Sequence, residues 1–181
     1  FDCLKQQAFL QTVKRNLTIN QTIEPTQVAG FNQLFDDLNG TKASLIGIGL
    51  DGNLSDQIRF GVEILRRDLD IPSVVSNVRN DWREHRYRAY LYWMTGRYWA
   101  VSAEFELEKF EQTTNATKNS NPEQMEMITV PLTVQYFEPS GFFATLGATY
   151  IKQDVEDGKF SGDEFVVVDS SIGYRLPNRW G

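Results

Sequence analysis

The sequence predicts an all-β protein whose strands follow one another as an antiparallel up-and-down meander. Three observations support this prediction. Apolar and polar residues alternate with a period of two over most of the chain, as they do in strands with one apolar and one polar face. The connections between these segments are alternately short and long, which is typical of a meander. Of the 181 residues, 41% are hydrophobic and 23% are charged, which favours a folded domain over disorder.

Seven segments carry the alternation clearly, and an eighth strand is predicted within residues 8–23. The seven are residues 44–50, residues 57–67, the two arms of residues 87–110, residues 126–136, residues 142–150 and residues 164–176. The short connections are residues 51–56, 95–98 and 138–141, and the long ones are residues 70–84, 112–124 and 154–163. Pro131 falls inside a predicted strand, and because proline cannot donate to a ladder we expect a β-bulge there.

Residues 1–181 are interpreted as one β-barrel domain, or as a fragment of a larger barrel truncated at both ends. The chain opens on "FDCLKQQAFL", which contains no initiating Met and no apolar signal region. It ends on the turn-like residues "PNRWG".

Two kinds of barrel fit two-faced strands: a soluble lipocalin-like barrel with its apolar face inward, and a membrane barrel with its apolar face toward lipid. The strand lengths, an apolar face almost free of charge, the alternation of short and long connections and a set of aromatic strand ends all favour the membrane barrel. Aromatic rings are common at membrane interfaces because they are apolar bodies with a polar edge. The predicted interface aromatics are Trp93, Trp99, Tyr136, Phe142 and Tyr174.

The opposite face of the same strands is predicted to carry a ladder of charges inside the barrel. Its members are Arg59, Glu63, Arg86, Arg88, Glu104, Glu106 and Glu108. If Trp93 pairs with Trp99, Arg88 lies opposite Glu104 and the preceding Arg86 lies opposite Glu106, and such pairs attract across strands. The ladder either selects what passes through the lumen or fills the interior as a salt-bridge network, and the sequence favours the network.

Composition excludes several classes of function. A net charge of −6 argues against a nucleic-acid surface, so no nucleic-acid partner is expected. One cysteine and one histidine leave little for a metal centre or a Ser-His-Asp triad. We therefore predict no catalytic residue, no metal ligand, no cofactor and no enzymatic activity.

Residues 22–181 resemble the barrel strands of outer-membrane proteins. The resemblance is carried by "TIEPTQVAGFNQLFDDLNGTKA", "GIGLDGNLSDQIRFGVEILRRDLDIP" and "EFVVVDSSIGYRLPNRWG". These segments are similar to later strands of TonB-dependent receptors, in which a "GYRLP"-like strand precedes the last one. They are also similar to barrels that follow tetratricopeptide repeats, as in polysaccharide-export porins.

The resemblance implies a transport protein of the Gram-negative bacterial outer membrane, with lipid as its surroundings. A TonB-dependent receptor would take up a scarce small molecule such as a metal chelate. A repeat-linked porin would export polysaccharide or anchor periplasmic partner proteins. The soluble ligand-binding barrel is the third alternative. Neither resemblance transfers a catalytic or ligand-binding residue to this chain.

Overall fold

A computed structural model describes the backbone of residues 5–14, 26–28, 31–33, 41–72, 79–113, 124–156 and 162–176. Within these residues the protein is all-β. The strands are β1 Lys5–Lys14, β2 Thr26–Val28, β3 Phe31–Gln33, β4 Lys42–Ser55, β5 Ile58–Pro72, β6 Arg79–Thr95, β7 Trp99–Thr113, β8 Gln124–Phe137, β9 Phe142–Glu156 and β10 Asp163–Tyr174. None of the described segments is a helix long and apolar enough to cross a membrane.

Eight of these strands form one antiparallel sheet in the order β1-β4-β5-β6-β7-β8-β9-β10. From β4 to β10 each strand pairs with the next one in the chain, so the predicted up-and-down meander is confirmed. Strands β2 and β3 form a separate short hairpin. In the described part of the chain the two edge strands, β1 and β10, do not pair with each other. The sheet is therefore open, and the structure does not close it into a barrel.

Most strands extend beyond the limits predicted from alternation. Strands β5 and β6 take up most of the connection predicted at residues 70–84, because backbone pairing continues there after the apolar alternation has ended. The predicted eighth strand corresponds to β1, which begins at Lys5, three residues before the predicted range of residues 8–23, and ends inside that range at Lys14. Residues 15–23 of that prediction fall outside the described residues. The β2–β3 hairpin was not predicted.

The connections alternate in length as the sequence predicts. The turns at residues 56–57, 96–98 and 138–141 lie at one end of the sheet, and the longer connections lie at the other. We call these ends the short-turn rim and the long-loop rim. Two of the short turns depend on glycine in a left-handed conformation, with φ of 81° at Gly96 and 104° at Gly141.

The bulge expected at Pro131 is absent. On the β9 side Pro131 pairs with Thr149 in a continuous register. On the β7 side the ladder is interrupted between the pairs Ala103–Leu132 and Glu106–Thr129, and the register is the same on both sides of the gap. The missing N–H of the proline explains this gap, since the strand loses ladder contacts toward β7 without needing an extra residue.

Buried apolar side chains form a small cluster near the long-loop rim, and Leu45, Leu65 and Tyr90 are buried outside it. Ala43, Leu69 and Ile71 pack together there, and Trp82 packs against them. Trp82 also meets Phe110 edge to face, with ring centroids 4.9 Å apart. This cluster joins β4 to β7 across the long-loop end of the sheet.

Replacing glycine by alanine should lower the free energy of unfolding by different amounts in the two glycine turns. A Cβ at Gly141 would lie 2.3 Å from the carbonyl oxygen of Arg175, whereas a Cβ at Gly96 would meet no atom within 4 Å. Gly96→Ala should therefore cost only its backbone strain, about 1–2 kcal/mol. Gly141→Ala should cost more, because the Arg175 backbone must also move, and with it the hydrogen bond from its N–H to the Gly141 carbonyl.

Equilibrium unfolding in urea measures both free energies of unfolding. Equal losses for the two variants would show that the Gly141–Arg175 contact does not constrain the turn.

Candidate functional site: two opposed faces of the sheet

The apolar side chains of β4 to β10 lie together on one face of the sheet, which we call the apolar face. One row of direct cross-strand partners shows this: from β5 to β10 it reads Phe60, Leu91, Ala103, Leu132, Ala148 and Val168. Because side chains alternate along each strand, the intervening residues lie on the opposite face, which we call the polar face.

The exposure of the two faces is the reverse of that in a soluble protein. On the apolar face Ile48 is 58% exposed, Leu132 is 48% exposed and Val168 is 66% exposed. On the polar face Glu63 is 1% exposed and Arg67 is 4% exposed. Charged residues are rarely buried without partners, and contiguous apolar surface is rarely left in water. A sheet with this arrangement needs an apolar environment against its exposed face.

The predicted interface aromatics all lie at the short-turn end of the apolar face. The rings of Trp99 and Tyr136 are 4.9 Å apart between centroids, and those of Tyr136 and Phe142 are 6.2 Å apart. Trp93 and Tyr174 lie on the same face, opposite Val101 and Phe142 respectively. The structure therefore places the five residues along one border of the apolar face.

Charged residues border the other end of the apolar face, and the sequence analysis did not identify them as a feature. We call this border the charged belt. Its members are Arg66, Asp68, Arg83, His85, Lys109, Glu111, Glu126, Lys152, Asp154 and Glu164. The signal was present in the sequence: each apolar alternation continues at the same parity but changes to charge, as from Ile64 to Arg66 and from Leu107 to Lys109.

Two tyrosines lie next to the charged belt on the apolar face. Tyr87 is the cross-strand partner of Ile64 and Leu107. The Tyr150 hydroxyl donates to the Glu164 carboxylate at 3.0 Å. The apolar face thus has aromatic residues at both borders.

The aromatic border is staggered from strand to strand. On β6 the border residue is Trp93, and its partner on β7 is Val101. The border residue on β7 is Trp99, which lies two residues nearer to the short-turn rim than Val101 and pairs directly with Tyr136 on β8. Tyr136 in turn lies opposite Ala144, two residues inside Phe142. The border therefore shifts by two residues for every two strands.

The charged belt shows the same shift between β8 and β9. The belt residue nearest to the apolar band is Glu126 on β8 and Lys152 on β9. Glu126 pairs with Asp154, so Lys152 lies two residues nearer to the short-turn rim than the partner of Glu126 does. Both borders therefore move in one direction at this step.

The stagger of the aromatic border gives a strand tilt. Two residues rise about 6.8 Å and two interstrand spacings span about 9.6 Å, so the strands lean by roughly 35° from the normal to the apolar band. From Trp99 to Leu107 the strand rises about 27 Å, and this tilt reduces the height of the band to about 22 Å.

The polar face carries a buried charge network in its centre. Glu63 on β5 lies directly opposite Arg88 on β6, and the guanidinium donates to the carboxylate at 2.6 Å from Nη2 and 3.0 Å from Nε. The Glu63 side chain is fully buried. Four residues along the same strand, Arg67 donates to Glu84 at 2.9 Å. These charge-assisted bonds compensate the desolvation of both carboxylates.

The network continues from β6 to β7 through Arg86. Its Nε lies 3.3 Å from Glu106, and its Nη2 contacts Glu108. The predicted ion pair between Arg86 and Glu106 is therefore formed, although the two residues are diagonal neighbours. The direct partner of Arg86 is Glu108, and that of Arg88 is Glu106.

The predicted register between β6 and β7 is thus wrong by two residues. Thr95 pairs with Trp99 across a three-residue turn, so Trp93 cannot also be its partner. The expected pairing of Arg88 with Glu104 is replaced by the pairing of Tyr90 with Glu104.

The remaining ladder residues form a second group nearer the short-turn rim. Arg59 contacts Asp51 at 3.3 Å, and the Tyr92 hydroxyl donates to Glu104 at 2.9 Å. The Tyr92 ring stacks on Tyr90, with centroids 4.8 Å apart. All seven predicted ladder residues lie on the polar face, but the structure divides them between two groups.

The polar face changes character toward β10. On β8 to β10 its polar side chains are mostly neutral hydroxyls and amides, at Thr129, Thr133, Gln135, Thr145, Thr149, Gln153 and Ser171, with Asp163 and Asp169 as the charged ones and apolar residues such as Met127, Ile151 and Val167 among them. The charges of the polar face are therefore concentrated on β5 to β7.

In the described residues, no group of three or more His, Cys, Asp or Glu side chains is placed to hold a metal ion. The carboxylates of the charge network are engaged by arginines. A search of protein-family models finds no match to this chain, and a search of curated proteins finds none either.

The buried network predicts a large difference between two methionine substitutions. Arg88→Met should lower the free energy of unfolding by about 3–5 kcal/mol, because the buried Glu63 carboxylate loses its guanidinium. Lys152→Met removes a cation from the exposed pair with Asp154, whose side chains are 42% and 56% exposed, and should cost less than about 1 kcal/mol.

The double variant Glu63→Gln/Arg88→Met should recover part of the loss, which a double-mutant cycle in denaturant measures. Additive losses would show that the two side chains do not stabilise each other.

Proposed function

We propose that this chain forms part of a β-barrel transport protein of the bacterial outer membrane, with its apolar face against lipid and its polar face lining the lumen. One observation carries the proposal: in the middle of the sheet the charged side chains of Glu63 and Arg67 are buried on the polar face, whereas aliphatic side chains of the apolar face such as Ile48, Leu132 and Val168 are exposed. A lipid environment removes the cost of exposing that apolar surface, and only a closed barrel satisfies strand edges in it.

The geometry of the apolar band gives independent support. Its height of about 22 Å is close to the roughly 25 Å apolar band of outer-membrane barrels, and its tilt of roughly 35° falls within their range. Aromatic residues at both borders match the girdles of such barrels. The alternation of short and long connections matches periplasmic turns and extracellular loops.

The same observations disfavour the soluble lipocalin-like alternative. A soluble barrel would bury residues such as Ile48 and Leu132 and expose the network around Glu63. The described side chains have the opposite exposure.

Uptake of a scarce small molecule, which the resemblance to TonB-dependent receptors implies, is the transport role we propose. The charge network pairs three arginines with four carboxylates, so most of its charge is compensated, and it acts mainly as a structural part of the wall. Recognition of the cargo is therefore assigned to other surfaces, and the long-loop rim is the one a ligand outside the cell meets first.

The orientation is tested by arginine substitutions on two neighbouring residues of β8. Leu132 lies in the middle of the apolar band and Thr133 lies on the polar face. Leu132→Arg should impair membrane assembly, since an arginine facing lipid near mid-bilayer costs about 2–4 kcal/mol, and Leu91→Arg on β6 should act alike. Thr133→Arg should assemble nearly as the wild type does.

Assembly is read as the fraction of folded protein recovered in lipid vesicles. Equal recovery of the Leu132 and Thr133 variants would contradict the assignment of the two faces.

The uptake role predicts a transport defect in cells that lack the protein. Deleting the gene should reduce the accumulation of at least one metal chelate in a panel of labelled iron(III) and cobalt chelates, and collapse of the proton-motive force should reduce wild-type uptake to the same level. Loss of surface polysaccharide with unchanged chelate uptake would instead assign an export role.

A further inference from the structure

A stacked pair of tyrosines lies on the polar face between the charge network and the short-turn rim. Tyr90 is 7% exposed and lies over Gly61, where no side chain competes for the space. Tyr92 stacks on Tyr90 with ring centroids 4.8 Å apart and an interplanar angle of 28°, and it is 41% exposed. Tyr92 is therefore the outer ring of the pair, and a molecule that meets the polar face can reach it.

An exposed carboxylate lies beside this ring. Glu104 on β7 is the direct partner of Tyr90, and it accepts a hydrogen bond from the Tyr92 hydroxyl at 2.9 Å. The Glu104 side chain is exposed, and it forms no ion pair with any residue that the structure describes. Its negative charge is therefore not compensated within the described sheet.

The arginines around this carboxylate are engaged by other acidic residues. Arg59, the direct partner of Tyr92 on β5, contacts Asp51 on β4 at 3.3 Å, on the side away from β7. The two other arginines nearby are also held by carboxylates: Arg88 by Glu63, and Arg86 by Glu106 and Glu108.

The strands on the other side of Glu104 add no positive charge. On β8 to β10 the described polar face has no basic side chain, and its charged residues are Asp163 and Asp169. The surface around Tyr92 and Glu104 therefore attracts cations rather than anions.

The charged belt contains the same kind of pair with a cation beside it. The Tyr150 hydroxyl donates to Glu164 at 3.0 Å, and the direct partner of Glu164 is Lys152. Opposite charges across strands are the arrangement that stabilises a sheet. At Glu104 an aromatic residue, Tyr90, takes the place of that cation.

An aromatic ring beside a carboxylate is suited to an organic cation. The negative face of a ring attracts an ammonium group, and quaternary ammonium ligands are recognised in this way. The carboxylate adds a charge of the opposite sign. An alkylated ammonium group also carries apolar surface, which packs against the ring.

We propose that Tyr92 and Glu104 bind an organic cation of the alkylammonium class on the wall of the lumen. This inference rests on the proposed transport function, because it needs a lumen that the cation enters. The pair provides a second contact for the cargo after the long-loop rim, and it favours cargo with an ammonium group over an anionic chelate.

The probe for this site is choline, and the reference compound is dimethylbutanol, its uncharged analogue of the same shape. Binding is measured by saturation-transfer NMR on the full chain folded in maltoside micelles, which carry neither charge nor choline. The wild type should bind choline and should bind dimethylbutanol more weakly, because only choline carries the charge.

Two substitutions remove the two parts of the site separately. Glu104→Gln removes the charge and keeps an acceptor for the Tyr92 hydroxyl, and Tyr92→Leu removes the ring. Each should weaken choline binding by about two- to fivefold, the size of one cation–π contact or one ion pair at an accessible site. Tyr92→Phe keeps the ring and should bind choline within about twofold of the wild type.

The Tyr150–Glu164 pair supplies matched controls. Glu164→Gln and Tyr150→Leu make the same changes of charge and size in the charged belt, and both should bind choline as the wild type does. A general effect of net charge would weaken binding equally in the Glu104 and Glu164 variants and would contradict the site.

Other results would also overturn an assignment. Absence of choline binding by the wild type, or equal binding of choline and dimethylbutanol, would contradict the site. Equal losses in Tyr92→Leu and Tyr92→Phe would exclude the ring as the contact. Selective choline binding by a wild type that does not insert into lipid vesicles would keep the site and contradict the proposed membrane function.

Discussion

Apolar and polar residues alternate with a period of two in this sequence, so the two faces of the sheet require different environments. In the structure aliphatic side chains of the apolar face are exposed, and the polar face buries Glu63 and Arg67 together with a few aliphatic side chains such as Leu65 and Leu69. Hydrophobic burial therefore stabilises this sheet less than it stabilises a soluble domain. Backbone ladders and paired charges contribute alongside it, and the exposed apolar face would be stabilised by surroundings of similar polarity.

The inverted burial explains why the charge network has to be complete. A carboxylate as buried as that of Glu63 is tolerated only when hydrogen bonds and opposite charges replace its water. The strand register supplies these hydrogen bonds and opposite charges, because Glu63 faces Arg88 directly and Arg86 contacts both Glu106 and Glu108. The network in turn fixes the register, since a slip of one residue would place these charges on the apolar face. Charge compensation and strand pairing thus depend on each other.

Sequence reasoning predicted the all-β antiparallel meander, the two faces and the aromatic border, because each depends on a local alternation that the residues show directly, whereas the closed barrel that it also predicted is not formed by the described strands. It failed where geometry depends on turns. The register of β6 and β7 follows from a three-residue turn after Thr95, and the sequence "TGRY" fits several turn lengths equally well. It also predicted a bulge at Pro131, where a gap in the ladder was enough. The charged belt was missed because its signal appears only when strand ends are aligned side by side.

The stagger of the borders connects these local features to the proposed function. A soluble sheet has no reason to keep its apolar side chains within a band of constant height across successive strands. Here the aromatic border shifts by two residues between β6 and β7 and again between β8 and β9, and at the second step the charged belt shifts with it. At the first step the charged belt stays in place, because His85 pairs directly with Lys109. The incline of roughly 35° therefore belongs to the aromatic border. A planar membrane interface around a tilted barrel would produce such an inclined border, and pairing between strands alone does not require one.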